Sequence, residues 1–234
     1  MPVYRIAGLN VCYEPKYELL ARRSEKYIVD CEPDFTIGVR ESLIERQYAE
    51  FNGAVGRAEL EYLWMGSAFN AKLLEFDGMY LHSSTVVADG KAYSFTAPCG
   101  TGKSTHTSLW LQLPIDAFIL NDDKAAYRKI DGEYIAFGTP FCGKNDINVN
   151  TSVPLAAICV IEQSENNSIE RMNIDDAVPL LISQTLRPSH PDRMILMCDF
   201  LDGLIKEIPI YKLKCNMDIE AAKLSYEAMS GMKI

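Results

Sequence analysis

The sequence predicts an α/β fold, and three stretches carry that prediction. Lys91-Ala92-Tyr93-Ser94-Phe95-Thr96 alternates as a half-buried strand does and runs into the glycine loop Ala97-Pro98-Cys99-Gly100-Thr101-Gly102-Lys103-Ser104-Thr105. Thr107-Ser108-Leu109-Trp110-Leu111 then reads as the opening turns of a helix. The second stretch is the Asp89-Gly90 pair between the alternating runs 79–88 and 91–96, a strong hairpin signal. The third, Ala117-Phe118-Ile119-Leu120-Asn121-Asp122-Asp123, passes from apolar to acidic, as a buried strand does where its carboxyl end meets a ligand crevice.

The chain has 234 residues, 48% of them hydrophobic, which suits one α/β domain with an appended lobe. The division expected is a strand-rich lobe over residues 1–78, ending in a helix, and a nucleotide-binding domain over 79–234. A net charge of −9 argues against nucleic-acid partners. The longest apolar run, Leu155 to Ile161, is far short of the roughly 20 residues that cross a bilayer, so no membrane association is expected. Met1 to Arg5 does not read as a secretory leader. Seven cysteines, an odd number without any Cys-x-x-Cys, point to a reduced, cytoplasmic setting.

In chain order, Val3 to Leu9 and Tyr27 to Asp30 read as strands, and Glu59 to Leu74 as a helix weakened by Gly66. The 79–96 hairpin, the loop and its helix follow, and Pro114 marks a stop. A strand ending at Asp123 precedes a second hairpin, Ala125 to Ile130 and Tyr134 to Phe137, turned by Asp131-Gly132. Val153 to Ile161 reads as a buried strand and Ser168 to Met172 as an exposed one. Helices are expected from Asp175 to near Arg187-Pro188 and from His190 to Ile205, then a strand from Ile208 to Leu213. Asp218 is expected to cap a last helix, Ile219 to Met229.

Strand, glycine loop, lysine–serine and helix form the order of a phosphate-binding P-loop. Gly100 and Gly102 let successive N–H groups converge, and the helix N-terminus adds its positive end. Pro98, Cys99, Gly100, Thr101, Gly102, Lys103, Ser104 and Thr105 are therefore the nucleotide-binding candidates. Lys103 is expected on the β- and γ-phosphates of ATP and Ser104 on Mg²⁺. Asp122 and Asp123 are the acids available to hold the metal and to take a proton; neighbours in a strand point to opposite faces, so both serve one site only if the strand ends there. His82, one hairpin before the loop, is a candidate catalytic residue, with a structural role as the plain alternative. Lys144 and Arg187 are candidate cations for the transition state, or ordinary surface charges. His106 reads as packing or polar surface, His190 as a loop residue, and Cys99 as either a small filler or a thiol activated by the loop.

Leu81-His82-Ser83-Ser84, Gly100-Thr101-Gly102-Lys103-Ser104 and Leu120-Asn121-Asp122-Asp123 together resemble the catalytic domain of HPr kinase/phosphorylase, which shares its P-loop fold with phosphoenolpyruvate carboxykinase. The likeness covers about 79–160 and is closest to short HPr-kinase-like proteins associated with peptide modification. It implies a mixed sheet with hairpins flanked by helices, ATP and Mg²⁺ as cofactors, and a serine in a peptide or small protein as acceptor. It also implies His82 as a catalytic assistant, Lys103 and Ser104 on phosphate and metal, Asp123 as proton acceptor and Asp122 on the metal side. Gly138 to Asn148 sits where the family has its glycine-containing signature loop, without a counterpart to the family's metal-binding glutamate. Three readings follow: an ATP-dependent serine kinase, a nucleotide-binding regulatory module that transfers nothing, or a carboxykinase, for which the chain is short. A second copy of the chain, in a homo-oligomer, is a further candidate partner.

Overall fold

Ala7 and Gly8 hold φ of 52° and 75° and turn the chain back on itself. The predicted first strand is therefore two, β1 (Val3–Ile6) and β2 (Leu9–Cys12), paired antiparallel as a hairpin. The computed structural model describes residues 1–234, a mixed α/β structure with two sheets and flanking helices. After β2 come α1 (Glu18–Ser24), β3 (Ile28–Val29) against β1, and β4 (Phe35–Thr36) against β2. Two more helices, α2 (Glu41–Glu50) and α3 (Arg57–Leu73), complete this part of the chain, which is richer in helix than the pattern of its strands predicts. Leu60, Met65, Phe69 and Leu73 form the buried stripe of α3. Gly66 interrupts helix propensity for a reason of packing: a Cβ there would come within 3.0 Å of the Phe141 ring.

The larger sheet begins with β5 (Gly78–Ala88) and β6 (Lys91–Thr96), turned by Asp89 and Gly90 at φ of 52° and 72°. The glycine loop then leads into α4 (Lys103–Trp110). Next come β7 (Ala117–Ile130), β8 (Glu133–Phe137), β9 (Ser152–Gln163), β10 (Ser168–Arg171), α5 (Ile174–Ser183), α6 (Pro191–Glu207), β11 (Ile210–Cys215) and α7 (Ile219–Ser230). The strand order is β10-β11-β9-β6-β5-β7-β8. β8 also bonds the first residues of β9, Ile135 opposite Pro154 to Phe137 opposite Ser152, so five strands close into a ring. Helices α5 and α6 cover one apolar cluster through Leu181, Met197 and Leu204, and α4 and α7 cover another through Trp110 and Tyr226.

Two expectations fail here. The acidic pair does not end a strand, because β7 continues to Ile130 and pairs with β5 on both sides of it. Helix α5 stops at Ser183, not near Arg187, because Gln184 and Thr185 leave it to run beside β5; the His82 N–H donates to Gln184 O at 2.9 Å. A third apolar cluster joins the two parts of the chain: Tyr62 and Phe69 of α3 pack with Tyr80, Ala126, Phe137 and Phe141. All seven cysteines are free thiols, and no helix is long and apolar enough to cross a membrane.

Candidate active site

The loop bends where glycine permits it. Gly100 and Gly102 have φ of 81° and 108°, values that strain any residue with a Cβ. Gly102 caps α4, and the first helical N–H to find a carbonyl is that of His106, on Gly102 O at 2.9 Å. The N–H groups of Lys103, Ser104 and Thr105 are thus the unpaired donors of a helix N-terminus, and all three residues line a cleft of about 450 Å³. Such donors, with the helix dipole behind them, suit an anion. The Lys103 ammonium folds back to donate to Ala97 O at 2.9 Å and Pro98 O at 3.4 Å. Burial pulls its pKa down, against the opposing pull of Asp123, Cys99 and Asp122.

Asp122 and Asp123 line the same cleft, and the backbone explains how. Asp123 holds φ at 91°, which breaks strand alternation and costs a non-glycine residue on the order of 1–3 kcal/mol. Neighbouring side chains brace this kink. The Lys124 N–H donates to Asn121 Oδ1 at 3.2 Å, the Asn121 amide donates to Thr139 O at 3.0 Å, and the Thr139 hydroxyl donates to Lys124 O at 3.1 Å. Asp122 accepts the Ser104 hydroxyl on Oδ1 at 2.7 Å. Its carbonyl accepts from Gly143 N at 2.7 Å, and a Cβ on Gly143 would stand 3.4 Å from both Asp122 Oδ2 and Asp123 Cβ. The loop after β8 is thereby laid directly on the acidic pair.

Asp123 has both carboxylate oxygens engaged. Oδ1 lies 3.2 Å from His82 Nε2 and Oδ2 2.9 Å from Lys124 Nζ. Burial alone pushes the carboxyl up, but His82 and Lys124 together outweigh it and hold Asp123 well below the usual carboxylate range. The other ring nitrogen of His82, Nδ1, lies 3.1 Å from Gln184 Oε1. A chain of contacts thus runs from Gln184 through His82 to Asp123.

The first part of the chain reaches the site through the loop over Asp122. Arg23, buried on α1, donates to Cys142 O at 3.2 Å and Gly143 O at 3.0 Å and lies 3.5 Å from the Asp146 carboxylate. Tyr62 donates to Cys142 O at 2.7 Å, and Tyr27 to Asn148 Oδ1 at 2.7 Å.

In overall structure the chain is similar to the HPr(Ser) kinase/phosphatase from Coxiella burnetii. The TM-score is 0.38 and the sequence identity 11%, covering 66% of this chain and 98% of that one. No protein-family model and no curated protein matches it. A likeness of that size carries no argument, and the chemistry of the cleft stands on its own geometry.

Of the residues singled out in the sequence, His82, Cys99, Gly100, Gly102, Lys103, Ser104, Thr105, Asp122, Asp123 and Lys144 line one cleft. Pro98 contributes a carbonyl to Lys103, and Thr101 O accepts from Gln163 Nε2 at 3.1 Å at the rim of a neighbouring cavity. Arg187 is not brought in; it lines a surface hollow with Trp64 and Arg193. His106 is buried, packing on Phe95 and hydrogen-bonded to Ser225, and His190 precedes α6 as its cap. Sequence reasoning missed Lys124, Gly143 and Gln184. The first two lay within stretches already marked, next to an acid and inside a glycine-rich loop. Gln184 had no local signal at all.

No three His, Cys, Asp or Glu side chains stand together as a metal cluster. The donors that do adjoin the loop, Ser104 Oγ and Asp122 Oδ1, are hard oxygens, the type Mg²⁺ takes when phosphate oxygens and water complete its shell.

Proposed function

We propose that the chain is an ATP-dependent phosphotransferase acting on a hydroxyl, with a serine of a peptide or small protein as acceptor. One observation carries this reading: the anion-binding loop, the Ser104–Asp122 pair and the Asp123–His82 pair line a single cleft. ATP with Mg²⁺ would supply the γ-phosphoryl group and an ADP leaving group. Lys103 would exchange its loop carbonyls for the β- and γ-phosphate oxygens, and the helix N–H groups would hold the rest. Ser104 and Asp122 would hold the metal, directly or through water.

Asp123 would take the acceptor's proton on Oδ2 after Lys124 moves aside, while His82 holds Oδ1. The acceptor oxygen then bonds the γ-phosphorus as the bond to the β-phosphate oxygen breaks, and the proton rests on Asp123. A carboxylate kept so acidic is a weak base. Its part is to orient the hydroxyl and collect the proton late, as suits a loose transition state.

Incubation with γ-labelled ATP, Mg²⁺ and serine peptides tests the reading. Asp123→Asn should cut transfer by on the order of 10²–10⁴-fold and leave affinity for a fluorescent ATP analogue within about twofold. Unchanged turnover in that variant would remove Asp123 from its role. A second reading, a nucleotide-binding module without transfer, is favoured by the double engagement of Asp123 and the missing third acid. Tight nucleotide binding with no labelled peptide would select it.

A further inference from the structure

Beside the phosphate cleft lies a cavity of about 500 Å³ whose lining includes no residue of the glycine loop. One wall is the α2–α3 segment, with Phe51, Leu63 and Trp64; the other is the strand-like run from Gln184 to Leu186. His82 and Lys124 belong to its lining as well. His82 lines both this cavity and the phosphate cleft, and both His82 and Lys124 contact the Asp123 carboxylate. The groove therefore leads to the group assigned to receive the acceptor's proton.

Its lining selects by chemistry. The only Lys, Arg, Asp or Glu in it is Lys124, already paired with Asp123. Phe51, Leu63 and Leu186 are each close to half exposed, and Trp64 stands among them. Apolar side chains gathered at a surface beside the Asp123 pair mark a binding surface, because each gains by being covered. The groove does not stop there. Across Trp64, Ser67 and Leu186 it adjoins a second hollow of about 340 Å³ lined by Arg187 and Arg193; Arg193 is paired with Glu75, and Arg187 is in no ion pair. Two adjoining hollows, one mostly apolar and one with two arginines, suit an occupant several residues long.

We propose that this groove is the acceptor site, and that the acceptor is a peptide segment of defined pattern. Its serine would be flanked by bulky apolar residues that fill the Phe51–Leu63–Trp64 wall, with an acidic residue farther along facing Arg187. This rests on the phosphotransfer reading above. The seryl hydroxyl enters past His82, and the flanking side chains hold it there long enough to meet the γ-phosphoryl group.

The test uses serine peptide pools with one flanking position fixed at a time, γ-labelled ATP and Mg²⁺. The proteins are the full chain and its Leu63→Glu, Leu186→Glu and Arg187→Glu variants. Two substitutions at half-exposed leucines on separate segments guard against one of them misfolding. Wild type should favour apolar flanks at least fivefold over lysine or aspartate, and favour one acidic position farther out. Leu63→Glu and Leu186→Glu should raise KM for the best peptide tenfold or more, with affinity for a fluorescent ATP analogue within twofold. Arg187→Glu should erase the acidic preference alone. Labelling indifferent to the flanks, or a preference that all three variants retain, overturns the groove while leaving phosphotransfer intact. Faster labelling of 2-phenylethanol than of any peptide replaces the peptide with a small apolar alcohol. Nucleotide binding with no peptide labelled removes the phosphotransfer reading and the groove with it.

Discussion

His106 shows how the glycine loop's helix is anchored. Ser225 has a single proton, which it donates to Ala222 O at 2.9 Å, and it accepts from Trp110 Nε1 at 2.9 Å. His106 Nε2, also 2.9 Å from that hydroxyl, must therefore carry the imidazole proton, leaving Nδ1 bare and unpartnered. Burial lowers the pKa of this histidine from 6.5 to about 4. Between those values the unfolded chain binds the proton and the folded one does not, so stability is full above pH 6.5 and falls as pH drops towards 4. The loss should total roughly 3 kcal/mol. Urea titrations at several pH values should find about one proton's worth of slope more in wild type than in His106→Gln; equal slopes would contradict the assignment. At this scale the sequence was informative wherever chemistry is local. Lys103 and Ser104 follow their glycines directly, and a glycine loop at a helix start is a contiguous word. Gln184 reaches His82 from 102 positions away, a distance over which no spacing rule operates.

At the scale of elements, alternation and turn residues located the β5–β6 and β7–β8 hairpins, because Asp-Gly at positive φ leaves a strong composition mark. The same logic misread β7. A run from apolar to acidic looks like a strand leaving the core, whereas here the strand persists and a single left-handed residue swings both acids to one cleft. The brace on that kink is Asn121, fully buried between Lys124 and Thr139. Asn121→Ala removes its bonds and strands their partners, at a cost of about 2 kcal/mol. Urea unfolding should register that loss, and peptide phosphorylation should fall further than nucleotide affinity does. If transfer and affinity were unaffected, the kink would not depend on Asn121. Helix α5 was overrun for a related reason: Gln184 to Arg187 carries no breaker before Pro188, so only the pairing with β5 ends the helix early.

At the scale of the molecule, the expected boundary near residue 78 falls inside a shared core. Phe69 and Tyr62 on one side of it pack with Tyr80 and Phe141 on the other, and Arg23 is bonded into the loop over Asp122. A chain beginning at residue 79 would expose that surface, so it should lack a cooperative thermal transition, while residues 1–234 should melt in one step. Circular dichroism on both decides it; a sharp transition in the shorter chain would mean the lobes are independent. Composition could not reveal this, since apolar residues in a sequence do not say which partner they will meet. The closure of β8 onto β9 has a consequence of its own. A ring has no end to which a foreign chain can add, so the larger sheet offers strand addition only along the outer side of β10. That strand is four residues long and carries Glu170 and Arg171, a short charged border that discourages recruitment of neighbours into fibrils.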